Sequence, residues 1–116
     1  MTIFVVDNDE DLLEMMGIIF SRNQIDNICI SDAGTLFQHI DKARPDAILM
    51  DIYMGPHDGR ELCRRLKKTE AYKDIPVILY SAGHIPLDSI RESLANDFLS
   101  KPFNIKQLVE KVHAYV

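Results

Sequence analysis

The chain has 116 residues, 47% hydrophobic and 27% charged, which fits one globular domain with a core of its own and excludes a disordered tail. Its 18 acids against 13 bases give a net charge of −5, which excludes gripping DNA or RNA unaided, because such binding rests on Lys and Arg neutralising phosphates. No apolar run approaches the roughly 20 residues of a membrane span, and no basic stretch precedes the N-terminal apolar run as a secretion signal requires, so a cytoplasmic location is expected.

Residues 2–6 (TIFVV) form a short apolar run closed by acids, the pattern of a buried strand. Residues 9–22 follow with Leu12, Leu13, Met15, Met16, Ile19 and Phe20 on one helical stripe. Residues 26–30 (DNICI) read as a second strand, and 33–43 as a helix with Leu36, Phe37 and Ile40 on one face. Arg44-Pro45-Asp46 breaks the chain before a third strand at 47–50 (AILM). Gly55, Pro56 and Gly59 mark a loop, and 59–69 make a third helix through Leu62, Cys63 and Leu66. The fourth strand is 76–80 (PVILY), and the helix at 86–94 opens with Pro86 at its first position. Residues 97–100 (DFLS) give a fifth strand, ended by Lys101-Pro102. Asn104 can cap a last helix whose apolar positions are Ile105, Leu108, Val109 and Val112.

Five strands alternating with five helices imply an α/β domain: a parallel sheet covered on both faces. No linker or repeat interrupts it, so residues 1–116 are expected as one domain with no second unit. Cys29 and Cys63 match no metal spacing and are expected as buried free thiols. Arg60, Arg64, Arg65, Lys67 and Lys68 cluster on a helical pattern and read as a solvated face. His39, His57, His84 and His113 are scattered, with none at ligand spacing.

In open α/β sheets the site lies at the carboxyl ends of the strands. The first strand ends in Asp7-Asn8-Asp9, the third in Asp51, the fourth in Ser81-Ala82 and the fifth in Lys101-Pro102. Singly, each has a plain explanation: a helix cap, a loop acid, a turn hydroxyl, a surface lysine. Together they bring carboxylates, a hydroxyl and an ammonium to one edge. Clustered oxygen ligands suit Mg²⁺. An aspartate can also attack a phosphoryl group, while metal, lysine and hydroxyl stabilise the charge being transferred.

These motifs resemble the receiver domain of bacterial two-component response regulators. The resemblance rests on VVDNDED after the first strand, MDIYMGPHDG around Asp51, Tyr80-Ser81-Ala82, and SKPF at 100–103, in this order over essentially the whole chain. It implies a flavodoxin-like (βα)5 doubly wound fold with strand order 2-1-3-4-5. It implies Asp51 as phosphoacceptor, Ser81 as the switch hydroxyl and Lys101 as the phosphate-pairing lysine. Asp7, Asn8, Asp51 and the carbonyl of Tyr53 would hold Mg²⁺, and Phe98 takes the aromatic switch position. The implied partners are a histidine kinase or histidine phosphotransfer domain, and a downstream protein. That protein would meet a surface on the fourth helix, fifth strand and fifth helix, including Ile85, Arg91, Phe98 and Lys106. Direct nucleic-acid or membrane contact is not expected, nor catalysis beyond the domain's own phosphorylation and dephosphorylation; a monomer or weak dimer is.

Three departures from the family pattern stand out. Asn8 replaces the usual second acid. Charges 4 Å apart near a surface interact by about 4 kcal/mol before desolvation offsets, so Mg²⁺ binding is expected to be weaker by about 1–3 kcal/mol, unless Asp9 compensates. Gly55 stands where the family often has Pro, and Phe98 lacks the hydroxyl of the commoner Tyr. Two other readings compete. Asn8 motivates a receiver-like adaptor acting without phosphorylation. Asp7-Asn8-Asp9 also fits the D-x-D opening of haloacid-dehalogenase-type phosphatases, with Asp7 as nucleophile and Asp9 as acid/base. That reading leaves Asp51 without a role and puts Asp11 where Thr or Val belongs.

Overall fold

The computed structural model describes residues 1–82, 85–100 and 102–116, so Lys101 and His84 lie outside the described residues. The main sheet has five parallel strands: β1 (Thr2–Val6), β2 (Asp26–Ile30), β3 (Ala47–Asp51), β6 (Val77–Ser81) and β7 (Asp97–Ser100). Their spatial order is β2-β1-β3-β6-β7. Counted by the five long strands this is 2-1-3-4-5, the order the resemblance implies. Around it run α1 (Glu10–Arg22), α2 (Leu36–Lys42), α3 (Gly59–Lys67), α4 (Leu87–Ser93) and α5 (Ile105–His113). A two-residue hairpin, β4 (Tyr53–Met54) with β5 (His57–Asp58), stands between β3 and α3.

Strand alternation sorts the core into two layers. Ile3, Val5, Leu49, Ile78 and Tyr80 point toward α1 and α5, where they meet Met16, Phe20, Leu108 and Val112. Phe4, Val6, Ile48, Met50, Val77 and Leu79 point the other way, onto Leu36, Ile40, Leu62, Leu66 and Ile90 of α2, α3 and α4. With β3 and β6 buried throughout, each large side chain contributes about 1.5–3 kcal/mol of burial. The continuous apolar runs follow from this, since a strand covered on both faces has no polar face to reveal.

Local chemistry moved several boundaries. The helix expected at 33–43 is a 3₁₀ turn, Ala33–Thr35, started by Asp32, followed by α2. Pro86 is the residue before α4 and not its first helical residue: its ψ of 127° is extended. The loop expected from Gly55 and Pro56 is the turn of the β4–β5 hairpin, with Gly55 at φ 64°, a conformation that Gly adopts without a Cβ penalty. Cys29 is exposed, because β2 is an edge strand; only Cys63 is buried. Asn104 does cap α5, in a reciprocal capping box with Gln107.

Candidate functional site

The carboxyl edge of the sheet collects the polar residues. Val6 pairs with Met50 across β1 and β3, so Asp7 and Asp51 follow at the same level on neighbouring strands. Asp51 in turn pairs with Tyr80 of β6. By the alternation that puts Val5, Leu49 and Ile78 toward α1 and α5, the side chains of Asp7, Asp51 and Tyr80 belong to that same face.

Asp7 is 1% and Asp51 8% exposed. Asp7 accepts the backbone N–H of Asp9 on Oδ1 (2.9 Å) and the hydroxyl of Tyr80 on Oδ2 (2.6 Å). Tyr80 is fully buried. Burial first, and then the charge and hydrogen bond of Asp7, push its hydroxyl far above the ordinary tyrosine range. It therefore remains a donor. Asp51 accepts the N–H of Ile52 on Oδ1 (2.9 Å). Sequence reading missed Tyr80. Its signal was a polar tip at the end of an otherwise apolar strand, which a buried tyrosine tolerates only with a partner for its hydroxyl.

Asp9 has a different task. Its Oδ1 accepts the N–H groups of Asp11 and Leu12 as the N-cap of α1. The cap gives this exposed side chain a structural task that accounts for an acid at this position without catalysis. Asn8 itself is exposed. Its amide nitrogen would lie 3.7 Å from a Cβ on Gly55, so it borders the hairpin turn.

The loop after Asp51 is fixed by Asp58-Gly59. Gly59 donates its N–H to the carbonyl of Ile52 (2.7 Å). A Cβ at Gly59 would fall 2.2 Å from the carbonyl oxygen of Asp51, so the backbone crossing tolerates no side chain there. Asp58 caps α3 through the N–H of Arg60 and binds its guanidinium (2.7 Å to Nη2). The Arg60 hydrogen bond holds the Asp58 carboxyl below its ordinary range. The same guanidinium lies 5.3 Å from the ring centre of Tyr53, which is 57% exposed, and donates to Ser89 Oγ of α4 (3.2 Å).

Ser81 is buried, and its hydroxyl donates to the carbonyl of Ala82 (3.2 Å). It pairs with Ser100, and Phe98 pairs with Leu79, so Ser81 and Phe98 share the sheet face toward α3 and α4. Phe98 is half-buried against that layer. Ile85, expected on the surface, is buried in the same layer; Arg91 and Lys106 are exposed. Lys101 lies outside the described residues.

Among the described residues no three His, Cys, Asp or Glu side chains converge as a metal site. The expected set differs in kind: two acids, Asp7 and Asp51, with one amide oxygen and one backbone carbonyl. All four are hard oxygen donors, the chemistry Mg²⁺ prefers. No helix among the described residues is long and apolar enough to cross a membrane.

Comparison with known proteins agrees with this geometry. Residues 3–113 match the response regulator receiver domain family. The chain is 32% identical over 114 residues to the DNA-binding response regulator MtrA of Mycolicibacterium smegmatis, with 97% of this chain aligned to 49% of that protein. The Mycobacterium tuberculosis MtrA aligns equally well, so the chain spans about half the length of these curated relatives. Among solved structures, the receiver domain of Francisella response regulator 1452 superposes with a TM-score of 0.87 at 28% identity, covering 98% of this chain and 94% of that one. The chemotaxis response regulator CheY4 of Vibrio cholerae reaches a TM-score of 0.86 at 20% identity, covering 99% and 98%, a likeness of fold.

Proposed function

The chain belongs to the response regulator receiver domain family, and on that premise we propose that Asp51 is the phosphoacceptor of a two-component phosphorelay. The placement of Asp51 carries this reading: it ends the central strand, nearly buried yet at the open edge, with a second carboxylate at the same level on the adjacent strand. The donor is a phosphohistidine of a histidine kinase or phosphotransfer domain. An Asp51 carboxylate oxygen attacks phosphorus in line with the P–N bond. The bond's electron pair leaves with the imidazole, and an acyl phosphate forms.

Asp7, Asn8, Asp51 and the carbonyl of Tyr53 are the residues to hold Mg²⁺, which when bound supplies positive charge against the phosphoryl oxygens. Lys101 is the ammonium to pair with them, and Ser81 the hydroxyl to turn toward them. Phe98, on the same face as Ser81, is placed to follow that movement and change the surface of α4, β7 and α5 that a downstream protein reads. The chain acts as one receiver unit over residues 1–116, a cytoplasmic monomer or weak dimer, and as no enzyme beyond its own phosphorylation and dephosphorylation. DNA binding is named for the MtrA relatives, which extend beyond the matched region.

Incubation with acetyl phosphate and Mg²⁺, read by intact mass, tests the reading. Wild type should gain one phosphoryl group and Asp51→Asn none. Equal labelling of the variant refutes the assignment. Failure of wild type to label supports the adaptor reading.

A further inference from the structure

Tyr80 sits in the strand wall of the site, on β6, yet its hydroxyl reaches Asp7 beyond the end of β1. Strand β3 lies between those two. The phenol therefore bridges two strand spacings, roughly 10 Å of sheet, at the level of Asp51, its register partner. The other side of its ring is held by Phe103, edge-on at 6.1 Å and 83°, from the segment leading into α5. A side chain buried this completely and braced by an aromatic neighbour has one ring position open to it. The hydroxyl at its tip is correspondingly fixed in space.

Asp7 has little freedom of its own. Both of its oxygens take donors, the Asp9 amide on one and Tyr80 on the other, which sets the plane of the carboxylate. Partners behind a metal ligand commonly orient it, and their removal typically lowers metal affinity by 10–100-fold. Resting on the reading that Asp7 and Asp51 hold Mg²⁺, we infer that Tyr80 is a positioning residue of the metal pocket: its hydroxyl locks the Asp7 carboxylate in the orientation that faces Asp51. This matters more here than in a three-acid pocket. Asn8 supplies no charge, and Asp9 is exposed where it caps α1, so Asp7 is the acid of the first strand edge that lies buried at the level of Asp51.

Tyr80→Phe keeps the ring and its contact with Phe103 and removes the hydroxyl. Magnesium chloride titrations of wild type and variant, followed by NMR, should give a dissociation constant 10–100-fold higher for Tyr80→Phe. Labelling of Asp51 by acetyl phosphate should slow at low Mg²⁺ and recover when Mg²⁺ is raised to saturation. A purely structural tyrosine lowers the urea midpoint but leaves the Mg²⁺ constant of the folded protein within twofold, and that result overturns the inference. A second readout needs no variant fold: with ring-¹³C tyrosine in wild type, the Tyr80 signal should move along the same Mg²⁺ curve as the Asp51 amide. A stationary Tyr80 signal on a moving Asp51 curve overturns the inference while the metal reading stands. Absence of any Mg²⁺ response in wild type removes both.

Discussion

Replacing Gly59 by Ala tests how tightly the acceptor strand is tied to α3. The added Cβ would meet the Asp51 carbonyl oxygen at 2.2 Å, its carbon at 3.1 Å and the Ile52 Cα at 3.2 Å. These are backbone atoms and cannot swing aside. Normal contact is about 3.5 Å, so the start of α3 must retreat by about 1 Å. That retreat breaks the bond from the Gly59 N–H to the Ile52 carbonyl (2.7 Å), worth about 1 kcal/mol net. Overpacking against fixed backbone adds about 1–3 kcal/mol, and the better helix propensity of Ala returns at most about 1 kcal/mol. The net loss is about 2 kcal/mol. With a urea slope of about 1–3 kcal/mol per molar, the midpoint by circular dichroism should fall by about 1 M. Gly17→Ala is the control. There the new Cβ meets only side-chain ends, Asn27 Oδ1 at 3.3 Å and Cys29 Sγ at 3.6 Å. Its midpoint should stay level or rise. A Gly59→Ala midpoint equal to wild type would refute the crossing argument.

Further expectations follow from the same geometry. Asn8→Asp should tighten Mg²⁺ by about 5–150-fold by restoring a charge, the equivalent of the expected 1–3 kcal/mol, and slightly lower the urea midpoint without metal; an unchanged titration curve places Asn8 outside the pocket. Burial raises the Cys63 thiol from 9.0 to about 11. The folded value exceeds the unfolded one, so this stabilisation is complete below pH 9 and is lost as pH rises toward 11, by about 2 kcal/mol. Cys63→Ala should lack that part of the decline, and a parallel pH profile in urea melts would contradict it. At neutral pH a maleimide should modify exposed Cys29 first in the folded protein, which peptide mapping would check.

Element order and the acids at the strand ends were legible because they rest on local signals. A continuous apolar run next to an amphipathic one names strand and helix, and Pro or Gly marks the breaks. Asp7, Asp51 and Ser81 could be placed at one edge because parallel topology sends every strand end there. The face on which each side chain lies was not legible. In a strand buried on both sides, hydropathy is equal at odd and even positions, so VILYS shows that the Tyr80 hydroxyl needs a partner but not the face on which it finds one. Register does that: it puts Tyr80 with Asp51, and Ser81 with Phe98. Cys29 was misplaced for a similar reason, since an edge strand differs from a central one only in what pairs with it. Asp9 looked like chemistry because a cap and a general acid are the same residue type; only the folded chain shows its oxygen on two N–H groups of α1.

Helix α4 spans seven residues, Leu87–Ser93, well short of the length at which an isolated helix holds in water. Its first turn has no side-chain cap, and it stops at Leu94 with φ 66°, a left-handed turn that costs a branched side chain about 1–2 kcal/mol. What compensates is borrowed from α3. Arg60 donates to Ser89 and Arg64 to the carbonyl of Glu92 (3.1 Å), one turn apart, like two rungs fastening a short plank. Amide exchange in α4 should therefore follow the local opening of those two rungs and not the global unfolding of the sheet. A charge change beside the first turn of α3, which carries Arg60, would alter how often this helix opens as well as where it sits.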